Sequence, residues 1–174
     1  MHFLVVVRDL CQLRRGPQDL PHSPVLFGLL VAVSVVLDLA MGGLIEGTSN
    51  ILARSLLSTA LVLALCWTAL SLRQFRNRYV QTASALVACS IVFSLLILPV
   101  IYLAGPAPEQ PHQLTPLQVL LGWAMLALIV WNLAVNANIL RHALEAPFAL
   151  GMGLATAWAL ADWALGHALF DAAG

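Results

Sequence analysis

Five stretches of this chain are each about twenty residues long or slightly longer, and almost free of charge, and that length points to lipid as their solvent. A helix crossing the hydrocarbon core of a bilayer needs about 20 predominantly apolar residues. The runs lie at about 25–45, 51–72, 80–103, 117–140 and 147–170. None alternates strictly between apolar and polar residues, and all exceed the roughly 9–11 residues of a barrel strand. In hydrocarbon, where water cannot satisfy peptide groups, a helix satisfies its own. The fold expected is an all-α membrane protein, a bundle of five transmembrane helices.

Composition supports the same class. Of 174 residues, 61% are hydrophobic and 9% charged, where an ordinary soluble domain carries roughly 25% charge. A water-soluble globule and a disordered chain are both excluded. All eight basic residues are arginine, eight carboxylates balance them, and the formal net charge is zero. Nucleic-acid binding needs a basic face, so no such partner is expected. Cys11, Cys66 and Cys89 are far apart in sequence, form no C-x-x-C pair, and read as small apolar residues.

Short connections leave room for one domain, 25–170, between an N-terminal segment (1–24) and a tail (171–174). E-G-T-S-N (Glu46–Asn50) is a tight polar hairpin, with Gly47 as punctuation and Ser49 or Asn50 as the helix cap. R-Q-F-R-N-R-Y (Arg73–Tyr79) joins the second and third runs. Gly105–Pro116 joins the third and fourth and holds four prolines, which argue against helix there. Arg141–Ala146 joins the last two. The fifth run contains Asp162 and His167. A central charge costs about 2.5–3.5 kcal/mol on insertion scales, and a re-entrant or surface-lying segment is the alternative to a span.

Arginine sets the orientation. Five spans put Arg8, Arg14, Arg15, Arg73, Arg76, Arg78 and Arg141 on the N-terminal side and Arg54 alone near the other. By the positive-inside rule the expected location is a bacterial inner membrane, with a cytoplasmic N-terminus and a periplasmic C-terminus. The Pro-rich loop around Glu109 is then outside. In the N-terminal segment, Phe3, Leu4, Val7, Leu10 and Cys11 recur at helical spacing, with Arg8, Asp9 and Gln12 elsewhere on the wheel. This predicts a short amphipathic helix in the inner interface, stopped at Gly16-Pro17. Its basic residues follow its short apolar stretch, unlike those of a signal peptide.

Ionisable residues at membrane depth are expensive, and there are three: Asp38, Arg54 and Asp162. At about 1.5 Å per residue all lie in the outer half. The hairpin between the first two helices suggests an Asp38–Arg54 ion pair, with Asp162 as a third member. The cluster reads either as a register-fixing charge pair or as a proton or ion site, and Arg54 can also snorkel to headgroups. In the fourth helix Asn132 and Asn136 share a face, with Asn138 nearby and Ser84 and Ser90 of the third helix as partners. They read as inter-helix glue, contributing about 0.6–2 kcal/mol per bond, or as a polar lining. Ala149, Gly153, Ala157 and Ala161 give the fifth helix a small-residue face suited to close packing, by default within the chain. Pro99 should bend the third helix.

No G-x-S-x-G, H-E-x-x-H or P-loop occurs. The histidines at 2, 22, 112, 142 and 167 are scattered, and His142 with Glu145 makes only a weak H-x-x-E. No enzyme activity, cofactor or metal is expected. The lead L-R-R-G-P-Q-D-L-P-H-S-P (Leu13–Pro24), the helix entry N-R-Y-V-Q-T-A-S-A-L (Asn77–Leu86) followed by Leu98-Pro99, and N-I-L-R-H-A-L (Asn138–Leu144) resemble uncharacterised proteobacterial five-span inner-membrane proteins similar to the Yip family. That resemblance implies a five-span helical bundle and supplies no catalytic residues. Three functions fit: a non-enzymatic membrane scaffold or interaction partner, alone or as a homo-oligomer; a small transporter or channel using Asp38, Arg54 and Asp162; and a lipid-binding protein.

Overall fold

A computed structural model describes residues 2–45, 50–105 and 115–171. Six helices follow one another: α1 (His2–Cys11), α2 (Pro24–Ile45), α3 (Ile51–Leu72), α4 (Tyr79–Ala104), α5 (Pro116–Leu144) and α6 (Phe148–Gly166). No strand occurs among the described residues. Helices α2 to α6 are each long and apolar enough to cross a membrane, so this is an all-α integral membrane protein with a short helix ahead of its spans. Most of the 46–50 hairpin, the Pro-rich 106–114 stretch and the tail 172–174 lie outside the described residues.

Local chemistry explains where the helices begin and end. Thr115 caps α5: its hydroxyl accepts from the Gln118 amide and the Gln118 side chain accepts from the Thr115 amide, with Pro116 at the first position. That reciprocal arrangement satisfies two otherwise orphaned amides. The other end of α5 passes the expected stop near residue 140 and runs to Leu144, with Arg141 and His142 in its last turn, where cations suit the helix dipole. Glu145 then takes a left-handed conformation, φ 49°, and reverses the chain into α6. Asn50 sits at the α3 cap position without a side-chain cap bond. Pro99 lies inside α4, which continues past it. The last span widens into a π-helical turn at His167–Asp171.

The core sits at one end of the bundle. Thr82, Ala83, Ser84, Ala85 and Cys89 of α4 and Val135, Ala137 and Ile139 of α5 are fully buried. They are covered by the N-terminal segment, where Val6, Val7, Leu10, Cys11 and Leu20 are also buried. The apolar stripe of α1, expected to lie on lipid, is thus turned largely onto protein, and Leu4 alone of its large residues stays mostly bare at 72% exposed. Three hydrogen bonds fix the segment. Trp131 Nε1 donates to the Cys11 carbonyl at 2.9 Å, Asn138 Nδ2 to the Arg15 carbonyl at 3.4 Å, and Gln81 Nε2 to the Leu20 carbonyl at 2.8 Å. Asp9 gathers Arg8 and Arg15 at 2.9 and 3.2 Å. At this end, too, Arg78 meets Glu145 at 2.7 Å and ties the α3–α4 turn to the α5–α6 turn.

Close contact between α5 and α6 is made by Gly151, not by the small-residue face read from sequence. A β-carbon on Gly151 would collide with the Ala137 carbonyl oxygen, and Ala155, one turn on, is fully buried. Gly153 has open space where its side chain would be, and Ala149 and Ala157 are exposed. The 149–153–157–161 stripe therefore lies mostly outside the α5 contact. The reason is geometric: α6 is small and apolar around much of its circumference, and spacing alone does not choose which small face turns inward.

Candidate functional site

Four helices carry two polar side chains four residues apart: Ser34 and Asp38 on α2, Ser90 and Ser94 on α4, Asn132 and Asn136 on α5, Trp158 and Asp162 on α6. Four residues is about one turn, so each pair projects from one side of its helix. Helix α3 adds Ser58 and Thr59. All ten line a single cavity of about 360 Å³ between the helices, lined elsewhere by apolar side chains such as Val62, Val87 and Leu133. Measured from the ends of α2 and α3 that meet at the 46–50 hairpin, Asp38 and Ser58 lie about 10 Å down at 1.5 Å per residue.

The hydroxyls divide into two kinds. Ser34 donates to the Val31 carbonyl at 2.9 Å and Ser90 to the Val87 carbonyl at 2.8 Å, the local bond by which a helical serine satisfies itself. Among the described residues Ser58, Thr59 and Ser94 make no such bond and have no side-chain partner. Asn136 Nδ2 donates to Asn132 Oδ1 at 3.2 Å, so the two asparagines join each other along α5, and no bond links them to Ser84 or Ser90. Ser84 is fully buried outside the cavity lining, and its hydroxyl has no partner among the described residues. The indole N–H of Trp158 is likewise buried without an acceptor, so Trp158 contributes a ring wall.

Of the three intramembrane charges, Asp38 and Asp162 meet at the cavity and Arg54 does not line it. Asp38 Oδ2 accepts from Ser55 Oγ at 2.8 Å. The expected Asp38–Arg54 pair is replaced by this bond one residue along, because adjacent positions on a helix point about 100° apart and Ser55 is the one that faces α2. The Arg54 guanidinium instead lies beside Gly166, with Nη2 3.4 Å from where a β-carbon would sit. Asp162 accepts no hydrogen bond among the described residues. Among the described residues salt bridges join Arg8 to Asp9, Arg15 to Asp9 and Arg78 to Glu145, away from the cavity.

Sequence reading isolated Asp38, Asp162, Asn132, Asn136 and Ser90 and passed over Ser34, Ser58, Thr59, Ser94 and Trp158. The signal that finds most of the latter is the four-residue spacing that marked the asparagines. His142 and Glu145 line a second cavity of about 400 Å³ with Pro17, Gln81 and Arg78, where Arg78 occupies the Glu145 carboxylate. Comparisons with family models, with curated proteins and with solved structures found no match for this chain.

Proposed function

We propose that this protein binds a small polar solute in the cavity between its spans and carries it across the membrane. The observation behind the reading is that all five spans aim polar side chains into one space, two of them aspartates. Charges at membrane depth are costly, and they mark solute and ion pathways when they face a cavity. Structural glue, the alternative use of such residues, would leave them bonded to each other across helices, whereas Ser58, Thr59, Ser94 and Asp162 are not. No chemistry is needed for this role, and the protein works without a catalytic group. The arginine-rich end, with the N-terminal segment folded over it, faces the cytoplasm of a bacterial inner membrane. A relation to five-span Yip-type proteins is part of the same proposal.

Reconstitution into proteoliposomes tests the reading. Solute-dependent flux, measured against empty vesicles, should be lost or reduced at least tenfold in Asp38→Asn and in Asp162→Asn. Flux that is the same in both variants as in the native chain removes it.

A second reading, a membrane scaffold or a homo-oligomer, draws on the small-residue stripe Ala149–Gly153–Ala157, which lies away from the α5 contact. Small residues let helices from two chains approach closely. Single-molecule photobleaching in lipid would show two or more copies per particle, falling to one in Gly153→Leu.

A further inference from the structure

We infer that Cys11 and Cys89 form a redox-sensitive clamp: hydrogen peroxide oxidises the pair to a disulfide that fastens the N-terminal segment to α4, and a dithiol releases it. This is independent of the cavity reading. Geometry comes first. Both cysteines are free thiols, and their sulfurs lie 3.6 Å apart. Closing that gap to a bond of about 2.05 Å is an approach of about 1.5 Å. The backbone already holds Cys11 in place. Its carbonyl accepts from Trp131 Nε1 at 2.9 Å. Two residues on, Leu13 turns left-handed at φ 62°, and the Arg14 amide donates back to the Asp9 carbonyl at 2.9 Å, which ends α1 in a defined turn. Cys89 faces it from the interior of α4, fully buried.

Chemistry separates this pair from an inert buried thiol. The Cys89 thiol beside it holds the Cys11 thiol below its ordinary range, against the opposing effect of burial, and the thiolate is the form that attacks an oxidant. Cys11 is 5% exposed, an opening that suits a small uncharged oxidant. The Cys11 sulfur attacks one peroxide oxygen; the O–O bond breaks, and the departing hydroxide takes the thiol proton and leaves as water. The Cys89 sulfur then attacks the Cys11 sulfenic sulfur; the S–O bond breaks, and the second hydroxide leaves with the Cys89 proton. Two thiols lose two electrons and one peroxide becomes two waters. A dithiol reverses this by two exchanges, ending as its own cyclic disulfide. Cys66 is buried as well and makes no thiol contact among the described residues. What the link changes is the segment. Terminal segments open locally at low free energy, and this one is held by single hydrogen bonds from Trp131, Asn138 and Gln81. A covalent bond to α4 closes that route.

The test treats the full-length chain in maltoside micelles with a small molar excess of hydrogen peroxide, then reads a peptide map and hydrogen exchange. A Cys11–Cys89 disulfide within one chain is expected, with Cys66 still a thiol. Exchange at residues 2–20 should slow at least tenfold on oxidation and recover with dithiothreitol. Cys89→Ser should stop the reaction at a Cys11 sulfenic acid, captured by dimedone, and Cys66→Ser should form the link as the native chain does. If Cys89→Ser does not fold, the map and exchange rates of the native chain decide alone. Three results overturn the clamp: no reaction of Cys11, or oxidation of Cys66 as fast as Cys11; a Cys11 sulfinic acid beside an unreacted Cys89; and a disulfide that leaves exchange at residues 2–20 unchanged. None of these readouts involves solute, so a failure of the transport reading leaves them intact.

Discussion

The thiol of Cys11 lies 3.6 Å from the thiol of Cys89, joining α1 to the interior of α4 across 78 residues of sequence. A disulfide needs its sulfurs at about 2.05 Å, so a small approach suffices. Mild oxidation with diamide, which takes up the two thiol hydrogens, should link Cys11 to Cys89 within one chain and leave Cys66, buried in α3, as a thiol. Mass spectrometry of the digested protein reads this directly. Cys89→Ser should abolish the link. A product joined only between chains, or one that includes Cys66, would mean that α1 does not dock where it is placed here.

Trp131 holds the same segment by a different bond. Its Nε1 donates to the Cys11 carbonyl at 2.9 Å while its ring meets Phe93 edge-on, centroids 5.2 Å apart. Trp131→Phe keeps an aromatic ring for Phe93 and removes the donor. Losing one such bond, and leaving the carbonyl short of a partner, costs about 1–3 kcal/mol. Because the bond tethers a terminal segment, the loss should appear locally. Hydrogen exchange of residues 2–20 should quicken roughly tenfold or more, with the amides of α2 to α6 unchanged. Uniform quickening throughout the chain would show that the bond supports the bundle as a whole.

The length of an apolar run is a robust signal, and it placed all five spans to within a few residues. Which side of a span turns inward is a weaker one. Helices that are apolar nearly all round carry little preference for any face, and so Gly151 and Ala155, one turn apart and inward, were indistinguishable in sequence from Ala149 and Gly153. Polar residues break that degeneracy where they occur as pairs, which is why Asn132 and Asn136 were legible together. Asp38 was legible as a buried charge, but its partner was not. Choosing Ser55 over Arg54 depends on the rotation of α3 about its own axis, and no local pattern records that angle. The stripe of α1 was clear, yet a stripe does not say whether lipid or protein covers it.

Ser55 is buried, 6% exposed, and its hydroxyl donates to Asp38 at 2.8 Å. No other hydrogen bond reaches Asp38 among the described residues. Ser55→Ala removes a donor to a charged acceptor, a change of roughly 1.5–3 kcal/mol. Ser55→Thr keeps the hydroxyl. Thermal unfolding in detergent should show a lower midpoint for the alanine variant and a smaller change for threonine. Solute flux through the alanine variant should fall less than in Asp38→Asn, because the carboxylate itself remains. Equal midpoints for native and alanine chains would mean that water replaces Ser55 at no cost.

Two glycines on neighbouring parts of α6 separate the inward face from the outward one. At Gly151 an added β-carbon meets the Ala137 carbonyl oxygen and crowds the Arg141 amide, both backbone atoms of α5. Backbone cannot step aside as a flexible side chain can, so Gly151→Ala must push α6 away from α5 or bend one of them. Overpacking of this kind costs typically about 1–3 kcal/mol. At Gly153 nothing lies within 4 Å of the same added atom, and alanine is the better helix former by about 1 kcal/mol in water. Gly151→Ala should therefore lower the unfolding midpoint, and Gly153→Ala should leave it unchanged or raise it. The contrast also bears on the cavity, since Trp158 and Asp162 continue the Gly151–Ala155 side of the helix toward it. A shift of α6 should weaken solute binding in Gly151→Ala and spare it in Gly153→Ala. The opposite ranking of the two variants would reverse the assignment of faces and move Asp162 away from the cavity.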